Sequence, residues 1–237
     1  MLIRVSLCAS AVVFLPVCAL GQARHYPLES TAGLKLHNVI AQPDVHQGRK
    51  GLRIIVDTNV VRPPVAPGQR DPDMIASIEG LQFSNGVIEV EIAGAPGAGA
   101  AQGARGFVGI AFRVQPDQQT YDAFYLRPTN GRADDQERRN HSAQYISHPD
   151  WPWFRLRQET PSKYESYVDL MPDVWTKIRI EVRGANARLY VNDQAQPTLI
   201  VNDLKTGATG KGSVALWIGP GTIAHFRNLT VTPQGSP

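Results

Sequence analysis

The feature that most constrains this chain is a two-residue alternation of apolar and polar side chains. It recurs in short segments, and no stretch keeps a convincing helical period. From Trp175 onward, Ile178, Ile180 and Val182 alternate with Lys177, Arg179, Glu181 and Arg183. After a turn at Gly184, Ala185 and Asn186 the pattern resumes, with Ala187, Leu189 and Val191 set against Arg188, Tyr190 and Asn192. Successive side chains of a strand point to opposite faces, so this pair reads as a hairpin with one buried face. Ile88, Val90 and Ile92 alternate in the same way with Glu89 and Glu91. Residues 107–114, 123–126, 213–218 and 223–231 read as further strands. Turns rich in Gly, Pro, Asn and Asp separate them. So many short strands must pair into two packed sheets or a closed barrel. The predicted fold is therefore all-β, and a domain of about 210 residues suits a jelly-roll β-sandwich of two antiparallel sheets.

Residues 1–23 read as a secretory signal peptide: Arg4, an apolar run from Val5 to Leu20 broken by Pro16, and small residues at Ala19, Gly21 and Ala23. The run is too short for a membrane span, which needs roughly 20 apolar residues. Cys8 and Cys18 both fall inside it, so the mature chain carries no thiol chemistry and no disulfide, and packing must supply its stability. The expected organisation is one domain over 24–233 and a short disordered tail over 234–237, in an exported, periplasmic or extracellular monomer. The Pro- and Gly-rich stretches 62–72 and 94–106 read as surface loops. A net charge of +3 lacks the strongly basic face of a nucleic-acid binder, so nucleic acid is not expected as a partner.

Between two of the strands, Tyr121 to Asp169 concentrates Tyr, Trp, Arg and His. Large, stiff, amphipathic side chains of this kind offer contact area to a ligand. The alternative is a satellite core beneath a long insertion, with the arginines paired to local acids.

Several segments carry a resemblance. Phe83-Ser84-Asn85-Gly86-Val87-Ile88-Glu89-Val90, Gly106-Phe107-Val108-Gly109-Ile110-Ala111-Phe112-Arg113, Trp175-Thr176-Lys177-Ile178-Arg179-Ile180 and Ala224-His225-Phe226-Arg227-Asn228-Leu229, in that order, resemble the concanavalin A-like lectin and glucanase superfamily over most of the chain. They are also similar to the bacterial 3-keto-disaccharide hydrolase-like domains that share the scaffold. The resemblance implies a concanavalin A-like sandwich and permits a structural calcium held by loop oxygens. No other cofactor is expected. It does not select an activity. The glucanases of this superfamily carry their acids in an E-x-D-x-x-E pattern, which this chain lacks. Its nearest approach, Glu89 and Glu91, would stand roughly 6.5–7 Å apart along a strand, wider than the ~5 Å of retaining chemistry.

The expected partner is a carbohydrate or glycoconjugate, recognised by aromatic faces and planar polar groups. The candidate ligand-binding residues are Arg113, Tyr125, Arg127, Asn140, Tyr145, Trp151, Trp153, Arg155 and Arg157. The arginines also permit an acidic sugar, although Arg155 and Arg157 could instead line an outer strand face and pair with Glu159 or Glu165. A glycoside hydrolase would use Asp134, Asp135 or Glu137 as acid or base and His141 as proton carrier. A non-catalytic protein-interaction module is the third class. No metal site is expected, since His141, His148 and Asp150 match no familiar zinc spacing.

Overall fold

The computed structural model describes residues 21–60 and 69–235; nearly all of the expected signal peptide lies outside them. In chain order the strands are β1 (Arg24–Tyr26), β2 (Leu34–His37), β3 (Val39–His46), β4 (Arg49–Val56), β5 (Ile75–Ile78), β6 (Asn85–Pro96), β7 (Val108–Val114), β8 (Tyr121–Leu126), β9 (Ala143–His148), β10 (Glu165–Ser166), β11 (Thr176–Arg183), β12 (Asn186–Val191), β13 (Leu199–Val201), β14 (Ser213–Ile218) and β15 (Thr222–Gln234). Two short helices interrupt them, α1 (Gln136–Asn140) and α2 (Trp153–Glu159). Among the described residues the strands form two antiparallel sheets. One runs β13-β12-β11-β6-β15-β4-β3 with β1 added on β15, and the other runs β10-β9-β8-β7-β14-β5-β2. This is the expected jelly-roll sandwich.

The alternation read from the sequence sets the register of the first sheet. Ile178 lies opposite Val90 and Ile180 opposite Ile88, and all four are buried. Glu91 on the outer face meets Arg49, and Arg227 lies 3.5 Å from it. In the second sheet Ile110, Phe124 and Leu216 are register neighbours on the inward face. The opposite face carries a column of small residues, Gly109, Ala111, Ala123 and Ala215, flanked by Tyr121, Tyr125, Trp217 and His148. Small residues under large ones let that face curve inward. A Cβ at Gly109 would stand 2.1 Å from the Phe124 carbonyl oxygen and 2.6 Å from Tyr125 Cβ. Gly109→Ala is accordingly expected to cost about 1–3 kcal/mol as an overpacking change, measured by urea unfolding.

Three sequence expectations are corrected. Arg155 and Arg157 sit on helix α2, not on a strand face. Only Leu156 of that helix is buried, so the Arg-Leu-Arg triplet mimics strand alternation. Stretch 94–106 is not loop throughout, because β6 continues to Pro96. Gln234, expected within a disordered tail, pairs with Asn85 in β15.

Candidate functional site

Over the outward face of the second sheet lies a cavity of about 630 Å³. Its floor is aromatic: Tyr125 stacks on Trp217 with centroids 4.6 Å apart, and Phe107 meets Tyr125 edge-on at 6.1 Å. Trp153, at the start of α2, stands in the wall and remains 42% exposed. The register of β8 and β9 places Tyr121 opposite His148 at one end and Leu126 opposite Ala143 at the other. Two polar clusters therefore occupy opposite ends of one trough.

The first cluster centres on Asp73. Its Oδ1 accepts from the Tyr121 hydroxyl at 2.6 Å and lies 2.7 Å from His148 Nδ1. Trp217 Nε1 donates to the Tyr121 oxygen at 3.0 Å, and Arg70 donates to Asp73 Oδ2. Burial alone would raise the Asp73 carboxyl, but His148, Tyr121 and Arg70 together hold it below the usual aspartate value. Burial, reinforced by Asp73, pushes the Tyr121 hydroxyl well above the ordinary phenol range. The carboxylate thus accepts a hydrogen bond from His148 Nδ1–H, a tautomer that leaves the Nε2 lone pair free on an imidazole that lines the cavity.

The second cluster centres on Glu165, whose side chain is 3% exposed. Arg127 Nη1 donates to it at 3.2 Å, Arg157 Nε donates at 3.0 Å, and Arg157 Nη2 donates through a further short bond. Arg127 also donates to the Tyr125 hydroxyl and to Gln144, at 2.8 and 3.0 Å. Burial would raise the Glu165 carboxyl, yet Arg157, Arg127 and His141 bring it below its usual value. His141 Nδ1 lies 2.9 Å from Glu165 Oε2, but neither ring nitrogen makes an aligned hydrogen bond. Burial, with Arg157 and Arg127 nearby, depresses the imidazole despite the attraction of Glu165.

Of the residues singled out in the sequence, Tyr125, Arg127, Asp135, Glu137, His141, Trp153 and Arg157 line this cavity. Arg113 does not: it lies on β7 with its side chain fully buried and donates to the Ser84, Gly184 and Gly207 carbonyl oxygens. A left-handed φ of 57° turns it out of the strand's normal alternation. Tyr145 is also core, donating to Asp122 at 2.6 Å. Trp151 is covered by Arg155, 3.9 Å from its ring, and by Lys205. Arg155 pairs with Glu159 and lines a separate, more open depression. Asn140 is exposed and accepts from Gln136.

The acids are differently placed from a catalytic pair. Asp134 is exposed away from the cavity. Asp135 caps α1 by accepting from Arg138 N at 2.6 Å, and the Glu137 side chain is 86% exposed. Asp73, Tyr121, His148 and Trp217 were missed as a group. Asp73 follows a proline-rich stretch that reads as loop, and nothing in its spacing announces a partner 75 residues away.

Calcium takes oxygen ligands. The group of ligand-type side chains found among the described residues is His46, Asp173 and His225. The two imidazoles stack face to face at 4.0 Å with planes 6° apart, so their lone pairs lie in two nearly parallel planes, and two of the three donors are nitrogen. That set does not fit calcium, and no chemistry is assigned to it.

The fold and the cavity together define a two-sheet β-sandwich with an aromatic-floored cavity over one sheet. Carbohydrate-binding module CBM66 from Bacillus subtilis superposes with a TM-score of 0.53 at 12% identity, over 84% of this chain and 95% of that one. The cellulose-induced protein Cip1 does so with a TM-score of 0.51 at 8% identity, over 90% and 97%. At such identities the likeness is one of fold. The model of the 3-keto-alpha-glucoside-1,2-lyase-like domain matches residues 44–232, and the chain belongs to that family. No curated protein sequence matches it. Among the described residues no helix is long and apolar enough to cross a membrane.

Proposed function

We propose that this is an exported protein that binds a glycoside in the cavity over the second sheet. The observation that carries the reading is the half-exposed Trp153 standing above the Tyr125–Trp217 floor, with polar clusters at both ends. Aromatic faces cover the apolar side of a sugar ring, while Arg127 and Asn130 present polar atoms for its hydroxyls. Calorimetric titration with a panel of oligosaccharides tests it. Trp153→Ala is expected to weaken binding about 10-fold, or ~1.4 kcal/mol. Binding that Trp153→Ala leaves unchanged, or no binding across the panel, would sink the reading.

Catalysis is the second reading, favoured by the His148–Asp73 pair. A base at Nε2 suits removal of a proton from the carbon beside a ketone. In a 3-keto-α-glucoside the C2 proton would pass to His148 and the C2–H electrons would form a C1=C2 double bond. The C1–O bond would break, and the leaving oxygen would take a proton from water. Under this reading His148→Gln abolishes release of the aglycone from a 3-keto-glucoside and leaves Trp153-dependent binding within about 3-fold of wild type. Full release by that variant would remove His148 from the chemistry.

A further inference from the structure

Four arginines crowd the α1 end of the cavity, and two of them lack an acid. Arg127 and Arg157 share Glu165. Arg105 and Arg138 form no ion pair among the described residues, yet both line the cavity. Neutral groups of one turn, residues 128–130, fasten them there. The Arg105 carbonyl oxygen accepts from Thr129 N at 3.3 Å. Arg138 donates from Nε to Asn130 Oδ1 at 2.9 Å and from Nη2 to the Thr129 hydroxyl at 3.1 Å. Arg105 Nη1 is spent on the Gln102 and Ala104 carbonyls of its own loop.

This leaves Arg105 Nε and Nη2 and Arg138 Nη1 without partners among the described residues. None of these atoms is a buried orphan, so they keep contact with solvent, on two residues that line the cavity. The nearby acids do not neutralise them. Asp135 is held by the helix cap, and the Glu137 side chain is 86% exposed and pairs with neither arginine. Burial, then the repulsion of Arg138 and Arg127, lowers Arg105 below the ordinary guanidinium value, and no acid opposes it.

A pair of guanidinium groups with free N–H bonds and no carboxylate paired to them is a receptor for an oxyanion. We infer that Arg105 and Arg138 bind an anionic substituent on the sugar, a carboxylate or a sulfate ester. This rests on the reading of the cavity as a glycoside site and names the class of sugar it prefers. The aromatic floor would hold the ring while the arginines take the charged group at the turn.

The test is calorimetric titration of the full chain with sodium sulfate, glucuronate, glucose 6-sulfate and glucose at matched ionic strength. The proteins are wild type, Arg105→Gln, Arg138→Gln and Trp153→Ala. Wild type should bind sulfate and at least one charged sugar, with that sugar about 10-fold or more tighter than glucose. Arg105→Gln and Arg138→Gln should each lose about 10-fold for the anions. Because the hydrogen bonds of Arg105 among the described residues run only to its own loop and to Thr129, Arg105→Gln keeps the test valid if Arg138→Gln disturbs α1. Comparing glucuronate with glucose 6-sulfate separates carboxylate from sulfate.

Sulfate stabilises proteins by exclusion from their surface, so an effect equal in wild type and both arginine variants would overturn the proposal, as would no response to any anion. A sulfate response lost in the arginine variants but kept in Trp153→Ala, with no oligosaccharide bound by wild type, would support the anion site while removing the glycoside reading. Oligosaccharide binding with no preference for charge would do the reverse.

Discussion

Arg113→Met is expected to lower the unfolding free energy by about 3–5 kcal/mol, read as a fall in the urea midpoint with an unchanged slope. The guanidinium is wholly buried and spans three separate loops, donating to Ser84, Gly184 and Gly207 oxygens and to the Thr206 hydroxyl. Its Nη1 lies 3.9 Å from Asp122, which is equally buried. Methionine fills similar space but leaves those acceptors unpaired, and each buried orphan costs about 1–3 kcal/mol. Burial pushes the Asp122 carboxyl up, against the hydrogen bonds from Thr206 and Tyr145; removing the nearest cation pushes it further the same way. Because Arg113 does not line the cavity, ligand affinity of the folded fraction should not change. A loss below about 1 kcal/mol would mean that the three loops are held by other contacts.

Glu165→Gln is the second large effect, expected to cost about 3–5 kcal/mol at neutral pH and to change how stability responds to acid. The carboxylate is the shared counter-charge of Arg127 and Arg157, and an amide leaves both cations without one. Its folded value lies below the ordinary 4.5. The stability it contributes is therefore complete above about pH 4.5 and is lost as pH falls through the lower folded value. Asp73, also depressed, behaves alike below 3.8. His141 and His225, both lowered by burial from 6.5, begin to favour the unfolded chain at milder acidity, whereas the raised Asp122 works the other way. Wild type should weaken first below about pH 6.5 and more steeply below 4.5. The variant should start less stable, and the gap should close in the acid range. Parallel curves down to pH 2.5 would show that Glu165 gains nothing from its partners. Denaturant unfolding followed by far-UV circular dichroism at a series of pH values decides between them.

The strands were legible because each rests on a period that survives any tertiary context. Ile178, Ile180 and Val182 could only share a face, and the turn at Gly184, with φ of 56°, falls where the alternation breaks. Half the cavity was legible too, since Tyr125, Arg127, Trp153 and Arg157 lie in one aromatic and basic stretch. The Arg155–Glu159 and Arg157–Glu165 pairings were also foreseen, on a helix where a strand was expected. What could not be read was the direction of a side chain where the backbone departs from its period. Arg113 looks like a surface cation until its positive φ turns it inward. Tyr145 sits among polar neighbours yet packs against Phe124 and Tyr164. Trp217 reaches the cavity through sheet pairing, and Asp73 meets Tyr121 and His148 from the loop before β5; both contacts cross long sequence separations, and no local pattern encodes that.

The pairing of β1 with β15, and the bond of 2.8 Å from Gly21 N to the Pro233 oxygen, bring the two extremities of the sandwich side by side. Both belong to the eight-stranded layer, while the cavity opens from the other. A tether placed at either extremity therefore anchors the protein by its back. Fused to a second module or fixed to a bead through either one, it presents the mouth outward, and attachment need not compete with a ligand.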